Sequence, residues 1–400
     1  MIIVRIIVLI IIFLIIWLPL DFYIGRRLYI KKVQQHVYPK RSSNIELYTY
    51  GNDLYKQLFQ DIRNATDSVH VLFYIIRDDE ISIEFCDILC EKAKSGCEVR
   101  VMLDRIGGIN FTKKTRNMLK ENGVHFSYTH RIKLPFLFFS FNHRNHRKIT
   151  IIDGEIGYLG GFNMGSEYLG MSPILGFWRD YHLRMTGEGV ADLQTQFVED
   201  WKRETNEDLS ATSNLFPKLV RGEIAHQFVT TNGLYLQSTF DWVLSQAKKE
   251  IFIATPYFVP SKELFSKLLL LQKQGILLHI LVPQREDHPL VQEASLPYLE
   301  TLIQGGADVH LFRDGFFHGK ALIIDDKIVD IGTANFDLRS LFLNDEMNCI
   351  IFDEKFIEIF KHHLTLDMKA SNPLDAHFYS HLTMWSKIKR KIAVIFLKFF

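Results

Sequence analysis

The sequence predicts an α/β protein made of two homologous lobes, each a mixed β-sheet flanked by helices, with a pseudo-two-fold relation and an N-terminal transmembrane helix. Three features of the 400-residue chain support this prediction. The pattern His-x-Lys-x4-Asp occurs twice, and the second copy begins 172 positions after the first. The same β-α-β order of segments precedes each copy, and the first 20 residues are almost wholly apolar. A repeat of both motif and element order indicates two copies of one structural unit.

Composition is that of a folded protein with room for two domains. The chain is 47% hydrophobic and 23% charged, which is sufficient for substantial cores. Its 47 basic and 46 acidic residues give a net charge of +1, so we expect no nucleic acid partner. Four cysteines lack the Cys-x2-Cys spacing of structural zinc sites, and we expect them to be reduced core residues.

The N-terminal segment predicts a membrane anchor. Residues 1–20 carry one charge, at Arg5, and their length suits a helix that crosses the hydrocarbon layer. Because no small-x-small cleavage pattern follows, we favour a retained anchor over a cleaved signal peptide. Basic residues follow at Arg26, Arg27, Lys31, Lys32, Lys40 and Arg41. Such residues stay inside, which predicts a single-pass protein of the cell membrane with its body on the cytoplasmic side.

The first lobe is expected to begin with alternating strands and helices. Ser68–Phe73 and Val99–Leu103 have the composition of strands, and Glu80–Lys94 has the periodicity of a helix that Gly96 ends. The second lobe repeats this order. There, Ile251–Ala254 and Leu277–Leu281 are the expected strands, and Lys262–Lys273 is the helix that Gly275 ends.

Each His-x-Lys-x4-Asp segment is predicted to form a strand, a turn and a return strand. Alternation along the strand places His146 beside Lys148 on one face, and His318 beside Lys320. Asp153 and Asp325 fall at the turns. The residues that follow both motifs at matching offsets are Gly160, Asn163, Gly332 and Asn335.

The end of the chain predicts a second membrane contact. From Trp385 to Phe400, apolar residues recur at three- and four-residue steps among basic ones. This is typical of a helix lying on an anionic membrane, and a helix docked on the protein body is the alternative. The expected divisions are a transmembrane helix (1–20), a basic juxtamembrane segment (21–44), a first lobe (45–204), a linker (205–225), a second lobe (226–370) and a basic tail (371–400).

Two imidazoles and two ammonium groups on facing lobes suit phosphodiester chemistry. Catalysis at an anionic phosphorus needs cations to spread the charge, a nucleophile, and an acid for the leaving oxygen. One neutral histidine can attack while its protonated partner donates, and the two then exchange roles. A single His-x-Lys pair would suit an ordinary surface strand, but a duplicate in matching register favours a catalytic site.

The two motifs, with Gly160-Gly161-x-Asn163 and Gly332-Thr333-x-Asn335, resemble the phospholipase D superfamily. Further segments resemble bacterial cardiolipin synthases of a short, minor type. They are Trp178-Arg179-Asp180-x-His182, Thr255-Pro256-Tyr257-Phe258-Val259-Pro260, Asp287-His288-Pro289, and Arg339-Ser340 with Asn344 and Glu346. Many relatives have two N-terminal membrane spans, whereas this sequence predicts one.

The resemblance implies that phosphatidylglycerol is the substrate and that cardiolipin forms through a phosphatidyl-histidine with release of glycerol. It implies that His146 is the nucleophile and His318 the general acid and then base. The groups expected to bind phosphate are Lys148, Lys320, Asn163 and Asn335. Asp153 and Asp325 are expected to orient groups across the lobe interface, and no metal or other cofactor is expected.

Two other functions remain open from the sequence. A hydrolase of the same fold, acting on phospholipid or on nucleic acid, would carry the same motifs. A protein that binds anionic lipid without turnover is the other alternative. The segment Leu134–Phe141 could admit acyl chains or could be a buried strand. His143 could be mistaken for a metal ligand, but no partner at matching spacing is visible.

Overall fold

The computed structural model describes residues 2–33, 36–288 and 290–374. An N-terminal helix, α1 (Ile2–Ile30), precedes the first lobe. The elements of the first lobe are β1 (Arg41–Tyr48), α2 (Gly51–Asn64), β2 (Ser68–Phe73), α3 (Glu80–Lys94), β3 (Glu98–Asp104), α4 (Lys113–Glu121), β4 (His125–Thr129), α5 (Leu137–Asn142), β5 (Ile149–Ile152), β6 (Ile156–Gly160), β7 (Trp178–Arg179), β8 (His182–Gly187) and α6 (Gly189–Thr205).

The second lobe follows a connection that holds one short 3-10 turn. Its elements are β9 (Ile224–Asn232), α7 (Leu236–Ser245), β10 (Glu250–Ala254), β11 (Phe258–Val259), α8 (Lys262–Lys273), β12 (Leu277–Pro283), α9 (Val291–Gln304), β13 (Asp308–Phe312), β14 (Phe316–Phe317), β15 (Ala321–Ile324), β16 (Ile328–Gly332), β17 (Phe336–Asp337), α10 (Leu338–Phe342), β18 (Asp345–Ile351), α11 (Glu354–Lys369) and β19 (Asn372–Pro373).

Both lobes contribute to one continuous sheet. Within the described residues it has fifteen strands, in the order β19-β13-β12-β10-β15-β16-β18-β9-β1-β8-β6-β5-β2-β3-β4. Apart from the extra edge strand β19, the order is the same outward from the centre in both halves, with β1 matched to β9, β2 to β10 and β5 to β15. The two halves join where β1 pairs antiparallel with β9, through Arg41 opposite His226. The predicted α/β fold with two related lobes and mixed pairing is therefore confirmed.

Local sequence signals account for the helix ends that matter here. Asp79 caps α3 by accepting from the Ser82 N–H, and Ser261 caps α8 by accepting from the Leu264 N–H. Gly96 and Gly275 follow the two helices at φ of 99° and 87°, a left-handed conformation that glycine tolerates. The predicted helices Glu80–Lys94 and Lys262–Lys273 have these bounds in the structure.

The two lobes share a hydrophobic core beneath the central strands. A single buried cluster includes Leu183 and Trp201 of the first lobe together with Val329 and Phe360 of the second. Each lobe also has a core of its own on the other side of its sheet. Because the central core belongs to both lobes, the lobes form one folding body and their relative position is fixed by packing.

Helix α1 is long and apolar enough to span a membrane. It continues ten residues past Leu20, so its last turns lie in the segment that we expected to be juxtamembrane. Most residues as far as Ile16 are exposed in the protein, whereas Asp21 and Gly25 are buried against the body. The strand β1 likewise begins at Arg41, before the expected start of the first lobe. The predicted amphipathic tail, residues 385–400, lies outside the described residues.

The aromatic segment before the first motif is not a strand. Its residues from Leu137 form the short helix α5, which packs on α1. The rings of Phe138 and Phe139 lie 6.2 and 6.0 Å from that of Phe22. Among the described residues that line the cavity between the two motif histidines, there are none from 134–141. The run of apolar residues thus reflects docking against the N-terminal helix.

Candidate active site

The two motif segments meet because each lobe pairs its motif with a segment of the other lobe. Asn145 forms a parallel bridge with Asp345, and the His146 N–H donates to the Asp345 carbonyl at 2.9 Å. The short strands β14 and β7 pair in parallel, with Phe317 opposite Arg179. In each pairing, the next residue on one strand is the motif histidine. The register therefore sets which residue of the other lobe faces that histidine.

The first register places Glu346 against His146. The His146 Nδ1 atom lies 2.9 Å from Glu346 Oε2 and 3.1 Å from Oε1. Thr333 and Ser340 donate their hydroxyls to the two carboxylate oxygens at 2.6 and 2.8 Å. The Tyr74 ring meets the imidazole edge to face at 5.0 Å. Since Nδ1 faces a carboxylate, that atom carries the proton and Nε2 keeps its lone pair.

The second register places Asp180 against His318. The His318 Nδ1 atom lies 2.5 Å from Asp180 Oδ2, and the Trp178 ring lies 5.0 Å from the imidazole. Lys320 Nζ is also 2.7 Å from Nδ1. One ring nitrogen cannot donate to the carboxylate and accept from the ammonium at once. The ionised carboxylate is the stronger partner, so we assign the proton to Nδ1 here as well.

The two motif lysines lie beneath the histidines and not on the cavity wall. Lys148 Nζ donates to the His146 carbonyl at 2.8 Å, and Lys320 Nζ donates to the His318 carbonyl. Both side chains are buried, and neither belongs to the described residues that line the main cavity. Their positive charge can therefore act on an anion in the cavity only through the protein atoms that lie between.

Burial makes every charged form in this cluster costly. It lowers the pKa of His146 to about 4 and that of His318 to about 3, although the adjacent carboxylates oppose the shift. Burial would raise the pKa of Glu346, but His146 and Lys148 beside it lower that pKa overall. The unliganded site thus holds neutral imidazoles and ionised carboxylates.

The lysines respond to the same burial. It lowers the pKa of Lys148 to about 7 and that of Lys320 to about 8. Glu346 and Asp180 oppose these shifts, and the proximity of the two ammonium groups adds to the lowering for Lys148. Near neutral pH the pair is therefore partly deprotonated, and an anion in the site would favour the fully charged form.

Asp153 and Asp325 occupy positions that differ from the expectation. Asp153 accepts from the backbone N–H groups of residues 66–68, each at 2.8 Å, and so caps the start of β2. Asp325 does the same at the start of β10, with Lys249 and Glu250 at 2.8 Å. Both have left-handed φ, of 53° and 50°. They hold the far end of each motif hairpin, and Glu346 and Asp180 contact the histidines in their place.

The motif asparagines are buried and line the cavity. The Asn163 amide oxygen accepts from the Ile75 N–H at 3.0 Å, so its NH2 group remains to donate. The Asn335 NH2 group donates to Asp337 at 3.1 Å, and its oxygen is buried without a hydrogen bond partner in the described chain. Both amides can contact a bound phosphodiester.

The glycines after the motifs make room for the cross-lobe carboxylates. A Cβ on Gly161 would lie 1.9 Å from Asp180 Oδ1, and one on Gly160 would lie 2.5 Å from the His182 Cα. Thr333 occupies the position that corresponds to Gly161, and it donates to Glu346 instead. The two lobes thus use different residues at one position to hold their carboxylates.

One cavity of about 650 Å³ receives both histidines. Its wall is partly apolar, with Ile174, Leu175 and Val259, and partly polar. The polar part includes cationic side chains, such as Arg144 and Arg339, and carboxylates, such as Asp287 and Asp337. This mixture suits a molecule with an anionic head and an apolar body.

His143 has partners that the sequence did not reveal. Its Nε2 lies 3.0 Å from Asp345 Oδ1, and the Nε2 of His130 lies 2.8 Å from Oδ2. The ligand atoms of these three residues lie within 4.8 Å of one another, which is close enough to hold a metal ion. Arg203 also contacts Asp345, at 2.9 Å, so the carboxylate already has a cationic partner. We refer to His130, His143 and Asp345 as the histidine tie.

Sequence reasoning therefore brought the two histidines to one cavity but missed their orienting groups. The sequence analysis named Asp180 and Glu346 only as members of two longer segments and gave them no role. Their pairing depends on which residues of the two lobes lie opposite each other, and neither partner is close in sequence to its histidine.

Known proteins that resemble this chain include cardiolipin synthases. The family described as "Cardiolipin synthase, PLD-like domain" matches residues 58–172 and 242–367. The minor cardiolipin synthase ClsB of Bacillus subtilis is 44% identical over 96% of this chain and 95% of its own length. A cardiolipin synthase of Staphylococcus aureus is 36% identical over 88% of this chain and 72% of its own length.

A solved structure supports the fold. The phosphatidylserine synthase of Haemophilus influenzae superimposes with a TM-score of 0.70 at 17% identity. The match covers 90% of this chain and 94% of that one. At this identity the likeness concerns the arrangement of the two lobes.

Proposed function

The chain belongs to the cardiolipin synthase family of phospholipase D-like proteins, and from that membership we propose that it joins two phosphatidylglycerol molecules into cardiolipin and releases glycerol. Its relatives support a phospholipid-modifying transferase that acts at a membrane. The observation that carries the detailed proposal is the meeting of His146 and His318 on one cavity, each with Nδ1 against a carboxylate from the other lobe.

In the first step, His146 Nε2 attacks the phosphorus of phosphatidylglycerol. A P–N bond forms while the P–O bond to the headgroup glycerol breaks, and His318 gives its Nε2 proton to the departing oxygen. Burial keeps His146 neutral, as attack requires. The bound anion raises the pKa of His318 above its low value in the empty site, which allows that ring to arrive protonated.

In the second step, a hydroxyl of another phosphatidylglycerol replaces the glycerol. His318, now neutral, takes the hydroxyl proton as a new P–O bond forms and the P–N bond to His146 breaks. Lys148 and Lys320 balance the extra negative charge of both transition states. Asn163 and Asn335 orient the non-bridging oxygens, and the cavity's apolar wall accepts the lipid body.

We further propose that the body faces the cytoplasm. The basic residues after the membrane-spanning stretch of α1 favour that side. All four cysteines are buried and unpaired, which is compatible with a reducing compartment.

The test is incubation of the purified, detergent-solubilised chain with phosphatidylglycerol labelled in both the acyl chains and the headgroup. Cardiolipin with free glycerol is the expected product pair. Phosphatidic acid with glycerol would show hydrolysis and would contradict the transfer. His146→Ala and His318→Ala should each lose at least about 1,000-fold in rate, while the exposed-site variant Lys218→Ala should retain it.

A further inference from the structure

We propose that a basic groove beside α5 is a second lipid-binding site, which binds the phosphate of anionic lipids in the same bilayer that α1 enters. The groove encloses about 500 Å³ and shares no residue with the catalytic cavity. Residues that line it include Arg105, Arg116, Lys120, Tyr128, Arg131 and Ile132.

The charge of the groove matches an anion. Four of its side chains are cationic, and the described residues that line it include no carboxylate. Tyr128 arranges two of the cations: Arg116 Nη1 donates to its hydroxyl at 3.2 Å, and the Arg105 guanidinium lies 5.0 Å from its ring centre. Guanidinium groups held in this manner are suited to phosphate oxygens.

The chain that leaves the groove is apolar and exposed: Ile132 lines the groove, and Leu134, Leu137 and Phe141 follow it in sequence, and we call these four residues the rim. Leu134 is 79% exposed and Ile132 is 44% exposed, and Leu137 and Phe141 are also exposed. Exposed apolar side chains around a basic site are a pattern found where proteins lie on anionic membranes. The rim can enter the acyl boundary while the groove stays at the level of the headgroups.

The position of the rim points to a bilayer as the occupant. The Phe139 N–H of α5 donates to Asp21 at 2.9 Å. A Cβ on Gly25 would lie 2.8 Å from the Cβ atoms of Phe136 and Phe139, so the two helices are in close contact. The contact between α1 and α5 begins directly after the exposed stretch of α1. A helix that spans a membrane with this stretch would leave the membrane at that point.

The groove is also connected to the catalytic lobes. The histidine tie fastens both ends of the segment 131–142 to Asp345, next to the Glu346 that orients His146. Lipid bound at the groove would therefore hold the catalytic cavity at a fixed height over the membrane. This inference does not depend on whether the catalytic site transfers or hydrolyses.

The experiment uses the full chain in vesicles with a fluorescent label at Leu134→Cys. The native cysteines are buried, so the label selects the new thiol. Val220→Cys is the matched control, since Val220 is apolar and 83% exposed in the connection between lobes. Quenching is measured with spin-labelled lipids in vesicles of phosphatidylglycerol and phosphatidylcholine.

We expect the Leu134 label to be quenched at least about threefold more than the Val220 label. Arg116→Gln combined with Arg131→Gln should reduce that quenching severalfold, because each basic residue near an anionic surface adds to its attraction. Lys218→Gln combined with Arg221→Gln removes the same charge from exposed sites elsewhere and should have no effect.

Two results would overturn the proposal. One is equal quenching of the two labels, or quenching of the Leu134 label that is the same with and without the Arg116→Gln and Arg131→Gln substitutions. The other is reversal of the quenching by soluble glycerol phosphate at moderate excess, which would identify a site for free phosphate compounds. Weaker quenching in vesicles of phosphatidylcholine alone would support it.

Discussion

The buried ammonium groups of Lys148 and Lys320 give the site a specific dependence on pH. Burial lowers their pKa values to about 7 and about 8, and a lysine is charged below its pKa. The charge that balances the phosphate is therefore present at low pH and is lost as the pH rises. Bound substrate opposes this loss, so the effect should appear in kcat/KM more than in kcat.

We predict that kcat/KM falls by about tenfold per pH unit above about pH 7, where Lys148 loses its proton, and by up to about 100-fold per unit above about pH 8, where Lys320 loses its proton as well. The measurement is a pH profile of initial rates on phosphatidylglycerol vesicles between pH 6 and 10. The control is full recovery of the rate when a sample held at pH 10 is returned to pH 7. A flat profile between pH 7 and 10 would contradict a role for the lysine charges.

The residue between the histidine and the lysine differs between the two motifs, because its surroundings differ. Arg147 is fully buried and its guanidinium contacts Asp200 at 2.8 Å, Thr230 at 2.9 Å and the Thr231 carbonyl at 2.7 Å. In the second motif, a Cβ on Gly319 would lie 2.5 Å from the Tyr181 ring. The first motif thus reaches across the lobe interface, whereas the second leaves no space for a side chain.

At the scale of elements, two short parallel pairings carry the catalytic geometry. The bridge at Asn145 and the pairing of β14 with β7 align each histidine with a carboxylate of the other lobe. Glu346 raises the pKa of His146 against the effect of burial. Removing its charge should therefore both misorient the ring and lower that pKa further.

We predict that Glu346→Gln lowers kcat by at least about 100-fold and moves the acid limb of the pH profile to lower pH. Glu263→Gln, in the first turn of α8, is the control and should retain wild-type rates. If Glu346→Gln lowered the amount of folded protein but left kcat and the acid limb unchanged, the carboxylate would be structural only.

The elements that the sequence predicted well are those with local signals. Helix α3 is capped by Asp79 and is followed by Gly96. The repeat predicts a helix with matching ends at α8. The segment 134–141 was not predictable, because a short apolar run has no period that separates strand from helix. Glu346 and Asp180 were missed for a different reason: their role depends on tertiary pairings between residues that are 200 and 138 positions apart.

The motif aspartates illustrate a third kind of error. Sequence placed Asp153 at a turn, and the structure agrees in its φ of 53°. Membership of the motif suggested catalysis, but its hydrogen bonds go to the backbone of residues 66–68. A carboxylate that accepts several backbone N–H groups stabilises the fold by about 2–3 kcal/mol.

We therefore predict that Asp153→Ala lowers the Tm by roughly 5 °C, while the folded protein keeps a rate within about twofold of wild type. Thermal denaturation in detergent and the labelled-lipid assay measure the two effects separately. Asp314→Ala, at an exposed position, should change neither. If the Tm of Asp153→Ala were unchanged but its turnover were lost, the prediction would be contradicted and Asp153 would be a catalytic residue.

At the scale of the whole molecule, the shared sheet and the shared core make the active site a property of both lobes. The β1–β9 pairing and the common buried cluster fix the lobes, so the two histidines converge without a hinge. In the proposed mechanism, the positive charge for phosphate comes from the buried Lys148 and Lys320.

Because these side chains supply the charge, we predict that turnover on phosphatidylglycerol vesicles stays within about twofold after treatment with a strong chelator. Loss of activity that added divalent ion restores would contradict this. His143→Gln would then show whether the ion acts at the histidine tie, whose atoms are close enough to bind one.

The most direct test of the central claim is to trap the lipid on the protein and identify the residue that carries it. A phosphatidyl ester with a leaving group that needs no acid, such as a nitrophenolate, is mixed with His318→Gln protein. Loss of the general base slows the second step, so the adduct should accumulate. Mass spectrometry of peptides should place the phosphatidyl group on His146, and none should form in His146→Ala. An adduct on another residue, or equal labelling of His146→Ala, would contradict the account.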